Sequence, residues 1–322
     1  QYPETRVLAV RTVATSADPG RALLLSRYAR DLDLRVRYEV MIAAGRLGPA
    51  GRDIAFVGLG DIIARVRQAA AWAACHGGDD ALQPLMQRMA AEGDIGVRAT
   101  ALANLWRFGE APWEGYADSA TKSDHAQLRR AAAYSLARSA RPQARPALRR
   151  LAADEEAVIR ATAVAGLRRA PLTAADVDVV ARAVSDPDIK VRTAACAVLA
   201  EQKAPALPPE AAAAVARYWR SPHPHLAVMA LRAAGANPEI GEAAMLAEIA
   251  VQEDSWPASQ ALAALAERGD DAAAEIAGGW LGEGSLWQRR AVAAIAAELG
   301  ETFEKASFSD EAPAVRLAWV ES

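Results

Sequence analysis

An all-α solenoid of about ten stacked helical hairpins is what this sequence predicts, and three features predict it. An arginine recurs at a period of about 31 residues. Around each arginine an apolar residue, an alanine and a leucine recur at fixed distances. The composition suits thin, closely packed helices, with 52% hydrophobic residues but only 6% aromatics.

In chain order, the repeated arginines are Arg6, Arg37, Arg67, Arg98, Arg129, Arg160 and Arg192. The residue before is apolar, as in Val97, Leu128, Ile159 and Val191. Three places after stands Ala101, Ala132, Ala163 or Ala195, and seven places after stands Leu105, Leu136, Leu167 or Leu199. Steps of four place these positions on one stripe of a helix. Alanine in the middle of the stripe lets the neighbouring helix come close. An aspartate precedes many of the arginines, at Asp33, Asp61, Asp94, Asp124, Asp154, Asp186, Asp188 and Asp310. Such a residue caps a helix and suits the positive end of its dipole. A ladder is expected along the stack, formed by Arg37, Arg67, Arg98, Arg129, Arg160 and Arg192 with acids such as Asp33, Asp94 and Asp188.

The second helix of each hairpin is less regular, as at 81–89 and 144–151. Residues 109–123, with Pro112, Trp113 and Tyr116, read as a loose stretch without a clean helix. A Pro-rich break at 203–209 predicts a bend or irregular turn. Beyond it the arginine is lost at Ala227 and Ser259 and returns at Arg289 and Arg316. The whole of 1–322 reads as a single solenoid. Because the array starts and stops without polar end caps, a longer parent protein is expected.

The repeat, Asp-x-x-Val-Arg followed by Ala and Leu as in Asp94 to Leu105, resembles the short form of the HEAT family. The resemblance implies the solenoid fold and, because that scaffold hosts many functions, little about activity. The stretches Val97–Gly109 and Leu128–Arg138 are similar to bacterial proteins with a HEAT array ahead of a cyclophilin-type prolyl isomerase domain. That likeness implies a bacterial, soluble chain, cytoplasmic or exported to the periplasm, with any isomerase residues lying elsewhere. The bilin lyases are another class with this repeat length.

Sequence signals for chemistry are sparse. Cys75 and Cys196 lie far apart and imply no disulfide framework. Cys75-His76 could stabilise a thiolate, and His223-Pro224-His225 offers two imidazoles without a third ligand nearby. There is no phosphate loop, serine nucleophile elbow or His-Glu pair of the kind the di-iron enzymes of this fold use. We therefore expect no catalytic residues, no metal and no cofactor. The net charge of −3 argues against a nucleic-acid partner, including the one a HEAT-like DNA glycosylase would require. No apolar run is long enough to insert in a membrane.

What remains is a surface. Tyr38 follows its arginine by one place, Trp72 and Tyr134 by five, and Trp106 by eight. At 100° per residue these fall on one flank of the helix, away from the core stripe. Side by side on the concave face of successive repeats, they would anchor a protein or peptide partner. Rings that merely fill gaps between repeats would leave the same pattern. Trp256, Trp280, Trp287 and Trp319 are assigned to packing.

Overall fold

The computed structural model describes residues 2–15, 18–252 and 255–321, and every regular element among them is helical. The arginine-bearing row comprises α1 (Pro3–Ala14), α2 (Leu34–Arg46), α3 (Ala64–Ala74), α4 (Ile95–Ala103), α5 (Ala126–Leu136), α6 (Ala157–Gly166) and α7 (Ile189–Glu201). It continues through α8 (Pro224–Ala236), α9 (Trp256–Glu267), α10 (Leu286–Ala293) and α11 (Pro313–Glu321). A short 3-10 turn and a second helix follow most of them, so the repeating unit is a HEAT-like helical hairpin. The chain falls into two compact units that divide between Ile159 and Arg160.

In the first unit, each of α1 to α4 packs against the next row helix. The predicted stripe is the core. Val36, Val66, Val97 and Leu128 are buried, and so are Ala101, Ala132, Leu105 and Leu136. Residues 109–123 depart from the expected loose stretch. Glu114–Ala120 forms a helix, because Trp113 is buried at its start and anchors it. Alanines crowd α3, where Ala69, Ala70, Ala71, Ala73 and Ala74 are all buried, so neighbours on both sides approach closely.

In the second unit, α7 packs on α8, α8 on α9, and α10 on α11. The stripe survives where the arginine does not. Leu226 and Ala258 hold the buried place that Val191 holds in α7. The Pro-rich segment forms an irregular turn before the helix Pro209–Arg217. Fully buried Asn237 secures it, accepting from the Ala204 N–H at 2.7 Å and donating to the Leu199 carbonyl at 2.6 Å. Arg268 joins neighbouring turns by donating to the carbonyls of Ala234, Ile240 and Gly241.

The arginine row forms a ladder, with a correction to its acidic side. Arg37 donates to Asp61 at 2.5 and 3.1 Å, and Arg67 to Glu92 at 2.7 and 3.0 Å. Arg6 pairs with Asp31, Arg129 with Asp154, Arg160 with Asp186 and Arg289 with Asp310 in the same way. Each arginine thus reaches the turn of the following repeat. Asp33, Asp94 and Asp188 are not these partners. They cap helices, accepting from the N–H groups of Arg35, Val97 and Lys190. A cap must sit over the first helical turn, whereas the neighbour's guanidinium arrives two residues earlier. The turns Asp31-Leu32-Asp33, Glu92-Gly93-Asp94 and Asp186-Pro187-Asp188 supply one acid for each task.

Each rung also braces its own turn. Arg37, Arg67, Arg129 and Arg192 donate through Nη1 to the carbonyls five and six residues back. The rung acid in turn accepts the N–H two residues on, as Asp61 does from Ile63 at 2.9 Å. Two expected rungs are missing. Ser123 stands where the acid opposite Arg98 should be, and among the described residues Arg98 makes no ion pair. Ser221 takes the same place in the turn after Arg192, whose guanidinium lies 5.9 Å from the Tyr218 ring instead.

Two outcomes follow from the ladder. Hydrogen bonds from Arg6, Arg67 and Arg160 hold the carboxyls of Asp31, Glu92 and Asp186 below their usual range. Their stabilisation is complete above the ordinary carboxylate pKa of ~4 and is lost as pH falls through the lowered native values. Thermal melts should therefore hold steady above pH ~5 and decline steeply below ~4, and Asp31→Asn with Glu92→Gln should flatten that decline. Replacing Ser123→Asp should restore the missing rung and raise stability by about 1 kcal/mol in denaturant melts. That gain should vanish in an Arg98→Ala background; a gain of equal size there contradicts the rung.

Candidate functional site

The four aromatic residues all lie in the first unit, on the flank of α2 to α5 opposite the buried stripe. Tyr38 is half-buried, with the Arg65 guanidinium 5.0 Å from its ring centre. Trp72 is half-buried against Gly45 of the preceding row helix, with its ring 4.5 Å from that of His76. A side chain at Gly45 would collide with the indole, so the glycine is the seat on which Trp72 rests. Trp106 follows α4 in a 3-10 turn, between Arg107 at 4.5 Å and Arg138 at 4.7 Å. Tyr134 is exposed and shares Arg138, 4.6 Å from its ring.

The expected stripe is therefore grouped rather than evenly spaced. The fifth place after one arginine meets the eighth place after the previous one. Trp72 meets Gly45 by this rule, and Tyr134 comes beside Trp106 across Arg138. Tyr38 stands apart with Arg65. Trp72 plainly fills a gap between repeats, while Trp106 and Tyr134 form a surface cluster.

Sequence reading missed the cations of this cluster. Nine places after Arg37, Arg67, Arg98 and Arg129 stand Arg46, His76, Arg107 and Arg138. The signal was periodic, but it was read only for the rings. Nearer the chain start the same flank neutralises itself, with Arg35 at 3.1 Å from Glu4 and Arg11 at 2.5 Å from Glu39. Arg107 and Arg138 meet ring faces, and among the described residues neither has a carboxylate partner. Burial lowers the His76 pKa, and the nearby Arg107 charge lowers it further. The Trp106 indole N–H is shielded and has no acceptor among the described residues.

This arrangement of helical hairpins is similar to solved structures. An engineered protein superposes with a TM-score of 0.52 and 19% identity, over 99% of this chain and 95% of its own. The Escherichia coli protein YibA superposes with a TM-score of 0.51 and 14% identity, over 93% of this chain and 97% of its own. Both likenesses are of fold alone. No family model and no curated protein matches the sequence.

Cys75 is fully buried, and burial pushes its thiol up to about 12, which disfavours a thiolate. His76 does not activate it, because its Nδ1 donates to the Trp72 carbonyl at 2.9 Å. Burial likewise raises Cys196 to about 12. His223 and His225 are exposed at the start of α8, and no metal-holding group of His, Cys, Asp or Glu occurs among the described residues. No described helix is long and apolar enough to cross a membrane.

Two of the grooves elsewhere bear on the charged ladder and on the remaining tryptophans. One of about 890 Å³ is lined by Leu32, Ile62 and Arg88 and contains the Arg37–Asp61 rung, whose charges already satisfy each other. The other, of about 230 Å³ in the second unit, lies between Trp256, Trp287 and Arg290. Trp256 and Trp287 are exposed, contrary to the packing expected of them, because they flank this open groove instead of entering the core. Trp280 is buried as expected, and Trp319 packs against Phe308 and the core of Ala293 and Val315.

Proposed function

We propose that this chain is a non-catalytic scaffold that holds a protein or peptide partner along the flank bearing Tyr38, Trp72, Trp106 and Tyr134, the concave side of the array. The observation that carries this reading is the pairing of Trp106 with Tyr134 on neighbouring repeats, capped by arginines without carboxylate partners. Aromatic and arginine side chains clustered on a rigid surface supply most of the affinity in typical interfaces. The helices beneath, α4 and α5, pack directly on each other and are tied to the adjoining turns by the Arg67–Glu92 and Arg129–Asp154 rungs, so this surface costs little to organise on binding.

Catalysis is not part of the reading, because buried thiols and scattered imidazoles offer no nucleophile–base pair. The same scaffold role extends to a catalytic domain in a longer parent protein. The likeness of Val97–Gly109 and Leu128–Arg138 to arrays that precede a cyclophilin-type isomerase supports that version, which would place the protein in a bacterium.

A photoreactive phenylalanine analogue at position 134 tests the proposal in cells. Discrete protein adducts are expected there, and their loss is expected in Trp106→Ala protein that melts like the parent. Adducts equally abundant at Leu24, exposed on a second helix, or unaffected by Trp106→Ala, would refute it.

A further inference from the structure

We infer that the partner of this flank is an acidic, extended peptide segment whose carboxylates take Arg107 and Arg138 while an apolar side chain lies on Trp106 and Tyr134. The inference rests on the partner-binding reading and names the chemistry of the partner.

The arginines of the first unit differ in what holds them. Arg6, Arg37, Arg67 and Arg129 are bonded to carboxylates, and Arg129 with Asp154 is mostly buried. Arg107 and Arg138 instead hold their charge against indole and phenol faces. An exposed cation–π contact contributes about 0.5–1 kcal/mol. A two-point guanidinium–carboxylate bond is stronger and directional. An incoming carboxylate therefore draws the arginine off the ring at little cost and uncovers the ring for an apolar neighbour.

The acids nearest in the chain do not compete. Asp79 accepts the backbone N–H groups of Glu110 and Ala111, and Glu114 pairs with Arg141. Glu110 forms no ion pair with either arginine. The chain as a whole is acidic, with a net charge of −3, so this basic patch is a local exception to its background. The shielded Trp106 N–H adds a second reason. An unpaired donor costs about 1–3 kcal/mol, and a peptide carbonyl that reaches it removes that cost.

Geometry sets the spacing of the ligand. Packed row helices lie ~8–10 Å apart. An extended peptide advances ~3.3–3.6 Å per residue. Successive repeats therefore meet every third residue, so the acids fall at i and i+3. With only three arginines and a histidine in the row, a nucleic-acid strand finds too few cations for its phosphates.

The test is to pan the full chain against a phage-displayed library of random peptides, then measure the selected peptides by fluorescence anisotropy. Enrichment of Asp or Glu three residues apart is expected, with Kd raised at least ~tenfold by Arg107→Glu with Arg138→Glu. The charge-reversed chain should select Lys and Arg instead. Acidic peptides whose affinity ignores that reversal overturn the inference, as does single-stranded DNA that competes better than poly-glutamate. Selected peptides that need Trp106 but carry no acidic excess defeat this inference and leave the partner-binding reading standing. Failure to select any Trp106-dependent peptide defeats both.

Discussion

The guanidinium–carboxylate rung between successive turns is the constraint on which the array depends. A hairpin of about 31 residues has too little apolar surface to be stable by itself, and the neighbour must supply the rest. Apolar stacking alone leaves freedom to slide, since Val, Ala and Leu repeat in every unit and one register resembles another. The rung removes that freedom. Arg37 reaches Asp61 of the next turn while its Nη1 holds the carbonyls of its own, and Asp61 then receives the Ile63 N–H. Charge, turn geometry and helix spacing are thereby tied at one point in each repeat that keeps the rung.

That point lies at the start of the row helices that keep the arginine, and its consequences reach the other end. With the helices held in register, the residues five and nine places after the arginine line up across repeats. Their identities vary freely, because nothing in the core depends on them. In the first unit that freedom is used for rings and cations, with Trp106 and Tyr134 sharing Arg138. The ladder arginines are committed to the fold, and the flank arginines remain available to a partner.

The architecture was legible from the periodicity, since the residues before, three after and seven after each arginine from Arg37 to Arg192 are those the core buries. The acidic side of the ladder was harder to read. A cap and a rung acid stand two residues apart in the same turn, and sequence spacing alone does not say which one meets a guanidinium arriving from another helix. The helix at Glu114–Ala120 was hidden by Pro112 and Gly115, and only the burial of Trp113 explains it. On the candidate surface the rings were visible as large residues among alanines. The basic row at Arg46, His76, Arg107 and Arg138 went unread because single arginines on a helix flank are ordinary. Only their seats on the rings, and the lack of carboxylates beside Arg107 and Arg138, set them apart.

The central claim is that these rungs couple neighbouring repeats. A double-mutant cycle on one half-buried rung tests it most directly, using Arg67→Met, Glu92→Gln and the pair together in denaturant unfolding. A coupling energy of about 1–3 kcal/mol is predicted, with the two single losses far from additive. Additive losses would mean that the stack is held by apolar packing alone, with the arginine row incidental to it.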